Sequence, residues 1–348
     1  MTLVADAAAP RVALVGATGV VGSTLIQLIE ERGFRYRAVH LIASGRSAGR
    51  ELAVDGRAYQ VQDLASFDFS QVDVAFFSAG GSVSETFVPA AVDKGVLVID
   101  NTSAFRMDPH TPLIVPQINA HELSRRPDSG IVANPNCSTI PLVRLLGTVQ
   151  ERWGIRQAVV STYQAASGRG HSGIAELYAA SQATLTDRRD LGPAQEFTPS
   201  LAFNVVPFID RLLDSGFTFE EQKMLQECRK ILGLPHLDVT TTCVRVPVAN
   251  CHSEAAWIEC NNPVDRTELV ERLAALPEVA VHDKDMMGAF PTPRTATTRP
   301  DHVHVGRIRV AEHNPRGFWL WIVADNVRIG AALNAIQIAE AMIERGTL

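Results

Sequence analysis

An alternation in the first third of the chain limits its fold more than any other feature. Short apolar runs at 11–16 (RVALVG), 38–44 (AVHLIAS), 72–79 (VDVAFFSA) and 95–101 (GVLVIDN) are separated by stretches of helical periodicity. In one of these, Val21, Leu25, Leu28 and Ile29 recur at helical spacing, and Gly33 stands where a left-handed cap would end the helix. The stretch ETFVPAAVDKG makes another and ends in Gly95. Strands that alternate with helices form a parallel sheet with right-handed crossovers. The expected class is therefore α/β, with a doubly wound sheet of the Rossmann type.

The first strand runs into the first helix through Gly16-Ala-Thr-Gly19-Val-Val-Gly22. Glycines there permit a tight turn and let backbone N–H groups approach a phosphate at the positive end of the helix. The spacing is G-x-x-G-x-x-G, which a plain glycine-rich turn can also show, so the end of the second strand has to discriminate. An NAD site usually offers an acid there for the ribose hydroxyls. This chain offers Ser44-Gly45-Arg46-Ser47, a cation and two hydroxyls with no acid. That set suits a 2′-phosphate, and so NADP.

At 348 residues the chain has room for two domains. Its formal net charge of −6 disfavours a nucleic-acid role, which calls for a basic face. No apolar run approaches the roughly 20 residues of a membrane-spanning helix. The first ten residues, MTLVADAAAP, lack the basic segment of a signal peptide and read as a frayed tail. Five widely spaced cysteines with no C-x-x-C pair fit reduced thiols in the cytoplasm, and no structural zinc.

One of those cysteines sits at a junction. GIVAN (130–134) reads as a strand, Asn134-Pro135-Asn136 breaks it, and TIPLVRLLGTVQERW (139–153) is helical, with Ser138 and Thr139 as expected caps. Cys137 thus stands at a helix N-terminus, where orphan N–H groups favour a thiolate and can bind an oxyanion. The same position suits a small buried apolar side chain, the usual fate of an unoxidised cysteine. Of ten histidines, His252 in RVPVANCHSEAAWIE, between two strand-like runs, is the best acid–base candidate. His302 and His304 share a strand face but lack a third ligand, so no metal site is expected. Cys251 and His252 point to opposite faces if the segment is extended. Cys228, Cys243 and Cys260 read as packing. In TFEEQKMLQECRKIL, Thr218 and Glu221 fit a capping box. Met224, Leu225, Cys228, Ile231 and Leu232 form its apolar face, while Glu220, Lys223, Glu227 and Lys230 form a polar face expected to be solvated.

Taken in order, GATGVVG, LIASGRSAG, NTSAFRMD, NPNCST, TYQAASG, TFEEQK, TCVRVPV, CHSE, VGRIR and VADNVRIGAALNA make the chain resemble the aspartate-β-semialdehyde dehydrogenase family over nearly its whole length. The resemblance implies a Cys137 nucleophile that forms a thioester, His252 as acid–base residue, and Gln164 orienting the substrate. It implies Arg245 on the substrate carboxylate, Glu220 on its amino group, and Arg106 and Lys223 on phosphate. Thr18, Gly19, Val20 and Val21 would line the cofactor pyrophosphate, and Arg46 and Ser47 would take the 2′-phosphate. Ser167, Gly168 and Asn326 would lie near the nicotinamide. It further implies an NADP-binding domain over 1–136, rejoined by 326–348, and an α+β substrate and dimerisation domain with a mixed sheet over 137–325. The implied assembly is a homodimer, and the implied pathway makes lysine, threonine and methionine.

Two places, one residue and one loop, depart from the family pattern. Cys251 stands where that family usually has glycine, and Arg169 and His171 stand where smaller or less charged residues are expected. A specialised paralogue acting on a related acyl phosphate is one alternative. Another is N-acetyl-γ-glutamyl-phosphate reductase, which is expected to carry glycine where this chain has Asn136. A binding-only relative would lack Cys137, Gln164 or His252, and all three are present.

Overall fold

The computed structural model describes residues 9–188, 190–283 and 290–348; the expected frayed tail falls mostly on residues 1–8, outside the described residues. The chain forms two units, Met1–Pro135 with Ala331–Leu348, and Asn136–Gly330.

Unit 1 begins with β1 (Arg11–Val15), α1 (Val20–Arg32) and β2 (Ala38–Ala43). A hairpin that periodicity did not reveal follows, β3 (Glu51–Val54) and β4 (Arg57–Gln60), then β5 (Gln62–Asp63). Next come β6 (Val74–Phe77), α2 (Gly81–Val92), β7 (Leu97–Asp100), the short α3 (Pro116–Asn119) and β8 (Ile131–Ala133). Six strands lie in the order β5-β2-β1-β6-β7-β8, all parallel. Val12 to Val15, Val74 to Phe77 and Leu97 to Ile99 are fully buried, as strands covered by helices on both faces must be. Gly33 ends α1 at φ 61, the left-handed cap expected of it.

Unit 2 opens with α4 (Thr139–Trp153), β9 (Ile155–Gln164), α5 (Gly170–Thr186), α6 (Phe219–Leu232), β10 (Asp238–Arg245) and β11 (His252–Cys260). It continues through α7 (Arg266–Ala274), β12 (Val279–His282), α8 (Pro293–Ala296), β13 (Val303–Ala311) and β14 (Asn314–Ala324). The strand order is β10-β9-β11-β14-β13-β12, with parallel outer pairs and antiparallel pairs within. Buried and open residues alternate along β9, so its Ala158, Val160, Thr162 and Gln164 point inward. The opposite face carries Val159, Tyr163 and Trp319, each at least 37% exposed. The chain then returns to unit 1 and ends in α9 (Leu333–Arg345).

The register of this sheet assembles a site. Arg245, the last residue of β10, lies beside Gln164, the last of β9. Tyr163 lies beside Ser253, so His252 opens β11 at the same edge, opposite Ala324 at the end of β14. Three distant motifs and the segment that follows β14 are thereby gathered at one end of the sheet.

Candidate active site

Cys137 lies two residues before α4, but the expected caps do not cap it. The hydroxyls of Ser138 and Thr139 are buried without a partner, and Asn136 Oδ1 accepts from Ser138 N–H at 2.8 Å instead. Asn136 is held from two other sides. Its N–H donates to Glu227 Oε2 at 2.6 Å, and its Nδ2 to Glu220 Oε1 at 3.0 Å. Behind the cysteine, a Cβ on Gly330 would lie 2.7 Å from Cys137 Cβ and 2.9 Å from its Cα, so only glycine fits there.

Glu220, expected on a solvated helix face, is buried, as is Glu227. Besides Asn136, Glu220 Oε1 accepts from Gln164 Nε2 at 3.3 Å, and Oε2 pairs with Lys223 Nζ at 2.7 Å. Burial alone would raise its pKa. Lys223, Asn136 and Arg245 overcome that and hold it down at about 2, so the carboxylate stays charged. Burial works against the Lys223 charge too, but Glu220 and Asp210 offset it and leave the amine above its ordinary value. The capping box of Thr218 and Glu221 at the start of α6 is present as expected.

One backbone residue orients both His252 and Arg245. Ala165 N–H donates to His252 Nδ1 at 2.9 Å, and Ala165 O accepts from Arg245 Nη1 at 2.6 Å. Because Nδ1 accepts, the proton of the neutral ring sits on Nε2, which is buried and has no protein partner. Burial, then the Arg245 guanidinium, brings the His252 pKa down to about 3, so the ring is neutral at physiological pH. Burial also lowers Arg245, against attraction from Glu220 and from Cys137. A Cβ on Gly168 would lie 2.7 Å from Arg245 Nη1, so this glycine makes room for the guanidinium.

Cys251 has φ 70, so the segment is not extended at that residue. That left-handed backbone is one glycine adopts without strain, in keeping with the glycine expected at this position from the resemblance. Cys251 N–H donates to Asn326 Oδ1 at 3.1 Å, and Ser167 Oγ donates to the same oxygen at 2.9 Å. Asn326 is therefore fixed through its oxygen, with its amide nitrogen directed elsewhere. Arg169 is exposed and paired with Glu196, and His171 is exposed. His304 hydrogen-bonds His282, 3.0 Å ring nitrogen to ring nitrogen, and His302 precedes β13 rather than sharing its face.

In unit 1, Thr18, Gly19, Val20 and Val21 form the turn into α1, whose N-cap Gly19 makes no side-chain bond and whose first turn holds no acid. Gly16 has φ 92, and a Cβ on Gly22 would lie 2.2 Å from Gly16 O. This tight cradle of backbone N–H groups fits a pyrophosphate. Arg46 is exposed and Ser47 half-buried beyond β2. The absence of an acid there holds only along the sequence: Asp63 of β5 has Oδ2 3.2 Å from where a Cβ on Gly45 would lie. Arg106 is buried and donates to Asn134 O and Asn101 O, each at 2.8 Å.

Two family models match. The semialdehyde dehydrogenase NAD-binding domain covers residues 11–126, and the semialdehyde dehydrogenase dimerisation domain covers 145–329. The aspartate-semialdehyde dehydrogenase of Bacillus subtilis is 43% identical over 95% of this chain and 97% of its own. The chain belongs to the aspartate-semialdehyde dehydrogenase family. The Aquifex aeolicus enzyme is also 43% identical, over 97% of this chain and 99% of its own. Aspartate semialdehyde dehydrogenase II of Vibrio cholerae, solved with ASA, superposes with a TM-score of 0.93 at 40% identity, covering 97% of this chain and 98% of that one. Members of this family are nicotinamide-dependent oxidoreductases, and unit 1 carries the corresponding binding domain.

Asn136, Ala165, Glu227 and Gly330 complete the site, and none was singled out as a functional residue from the sequence. Ala165 acts through backbone groups and Gly330 through its lack of a side chain, and Asn136 works through both its N–H and its side-chain amide. Glu227 is separated from Cys137 by ninety positions of chain, with nothing in its spacing to connect them.

Proposed function

We propose that the chain reduces L-aspartyl 4-phosphate to L-aspartate 4-semialdehyde with NADPH, releasing phosphate. The observation that carries this reading is the buried, unpartnered Nε2–H of His252, set by Ala165 in the same cluster as Cys137, Arg245 and Glu220. The Cys137 thiolate, favoured by the start of α4 and by Arg245, attacks the acyl carbon. His252 Nε2–H donates to the oxyanion that forms, and the C–O bond to phosphate breaks to leave a thioester. A reduced nicotinamide bound by unit 1 would supply the hydride, turning the thioester into a thiohemiacetal alkoxide. The same Nε2–H holds that alkoxide, which collapses to the aldehyde and returns the thiolate. No step in this direction requires a neutral His252 to gain a proton, so its acid–base role narrows to that of a donor.

Arg245 would hold the α-carboxylate in the paired geometry that a guanidinium suits, and Glu220, kept ionised, would face the α-ammonium. Gln164, hydrogen-bonded to Glu220, would position the acyl group, and Arg106 and Lys223 would take the phosphate. Thr18, Gly19, Val20 and Val21 would bind the pyrophosphate, and Arg46 and Ser47 the 2′-phosphate. Ser167, Gly168 and Asn326 would serve the nicotinamide. The working form would be a cytoplasmic homodimer. The open sheet face with Val159, Tyr163, Trp257, Trp319 and Trp321 supports pairing, as does the match of this unit to a dimerisation domain. Among the described residues no helix is long and apolar enough to cross a membrane.

The test is phosphate-dependent reduction of NADP with two aldehydes. L-Aspartate 4-semialdehyde should be preferred over N-acetyl-glutamate semialdehyde by at least about 10²-fold in kcat/KM, because acetylation removes the ammonium charge that the ionised Glu220 would attract and adds bulk beside it. Arg245→Leu should raise KM for the preferred aldehyde by orders of magnitude and leave cofactor affinity alone. Equal efficiency on both aldehydes would refute the substrate assignment.

A further inference from the structure

We propose that Asp210 is an internal anion that occupies Lys223 until the phosphate of the substrate displaces it, and that it thereby sets the affinity of this enzyme for phosphate. The inference rests on reading Lys223 as a phosphate-binding side chain. Lys223 Nζ lies between two carboxylates, 2.7 Å from Glu220 Oε2 and 3.1 Å from Asp210 Oδ2. The two are not equivalent. The Glu220 side chain is 7% exposed and also bound to Asn136 and Gln164, so it is a fixed part of the site. The Asp210 side chain is 36% exposed, and its other oxygen takes only the N–H of Arg211.

The segment that carries Asp210 is tied down on both sides. Val206 exchanges backbone hydrogen bonds with Arg245, at 2.9 and 2.8 Å, and Phe219 N–H donates to Arg211 O at 2.8 Å. Asp210 itself has φ 71, a conformation that aspartate tolerates better than most residues. The carboxylate is thus held against the amine by a short anchored loop and can leave by side-chain rotation. Glu220 alone already balances the Lys223 charge, so Asp210 puts a second negative charge where a phosphate must arrive. Arg211 does not supply a compensating contact, because its guanidinium lies over one ring, Phe219, at 4.5 Å, and Lys223 Nζ is 5.0 Å from the same ring. An incoming phosphate therefore competes with a tethered anion, and its apparent affinity is reduced by the fraction of time the amine is covered.

The experiment is steady-state oxidation of L-aspartate 4-semialdehyde by the full-length enzyme, with phosphate varied, for wild type, Asp210→Asn, Lys223→Met and the double variant. Asp210→Asn should lower KM for phosphate about fivefold to tenfold, the effect of uncovering a partly exposed ion pair. The effect should fall on phosphate and not on the aldehyde. Sulfate, competing with phosphate, should inhibit Asp210→Asn at correspondingly lower concentration. In the Lys223→Met background Asp210→Asn should change nothing further. An unchanged or raised KM for phosphate in Asp210→Asn overturns the proposal, since a residue that merely positions Lys223 would act in that sense. If Lys223→Met leaves KM for phosphate unmoved, the reading of Lys223 itself fails, an outcome separate from the first.

Discussion

Glu254 provides a test of the electrostatics of unit 2. It follows His252 by two residues on the same face of β11, is fully buried, and neither carboxyl oxygen has a hydrogen-bond partner. Cys228 of α6 and Cys243 of β10 lie within its electrostatic reach. Burial pushes the Glu254 pKa well above the ordinary 4.5, so the folded protein keeps a proton that the unfolded chain releases. The sign follows. This contribution to stability is fully present below about pH 4.5 and is lost as pH rises toward the folded-state value. While the folded protein holds the proton and the unfolded chain has released it, the loss runs at about 1.4 kcal/mol per pH unit. Glu254→Gln removes the linkage and keeps the volume. It should change stability little near pH 4.5 and raise it relative to wild type as pH climbs above that value. Urea unfolding followed by tryptophan fluorescence is the assay, because all four tryptophans, Trp153, Trp257, Trp319 and Trp321, belong to unit 2. Identical pH dependence in wild type and variant, or no gain at pH 7.5, would refute the reasoning.

Three other predictions bear on the site. Gly330→Ala should push Cys137 out of place and cost at least about 1 kcal/mol of stability; kcat should fall with cofactor binding retained, and a fully active variant would contradict the close approach. His252→Gln should keep far more activity than His252→Ala, since glutamine can donate a hydrogen bond but cannot act as an acid–base group; equal losses would reinstate proton transfer at this ring. Arg46→Ala should weaken NADPH much more than NADH in fluorescence titrations, and equal losses would show that Arg46 does not read the 2′-phosphate.

Periodicity revealed the parallel sheet of unit 1 because β1, β6 and β7 are buried on both faces and their residues are apolar without interruption. It failed where tertiary contacts decide. The sequence after β2 shows no acid, yet Asp63 of the adjacent β5 lies beside Gly45 in space. The α6 face read as solvated is buried because Glu220 and Glu227 hold the turn before Cys137, a pairing with no short-range signal. Cys251 was noticed as a departure, but its reason is a backbone angle. The roles of Gln164 and Lys223 came from resemblance, since a glutamine at the end of a strand and a lysine on a helix are ordinary residues in isolation.

Cys137 and Gly330, near the two ends of unit 2, touch, and the two ends of unit 1 at that break are also joined, by Asn134 Nδ2 to Ala331 O at 3.3 Å and Asn334 Nδ2 to Asn134 Oδ1 at 2.7 Å. In genetic terms, 136–330 is a cassette. Its flanking codons encode neighbouring residues, so a turn of a few residues from Pro135 to Ala331 could reseal the rest of the chain. Cys137 and His252 both lie inside that segment, so moving it as one piece would not separate them.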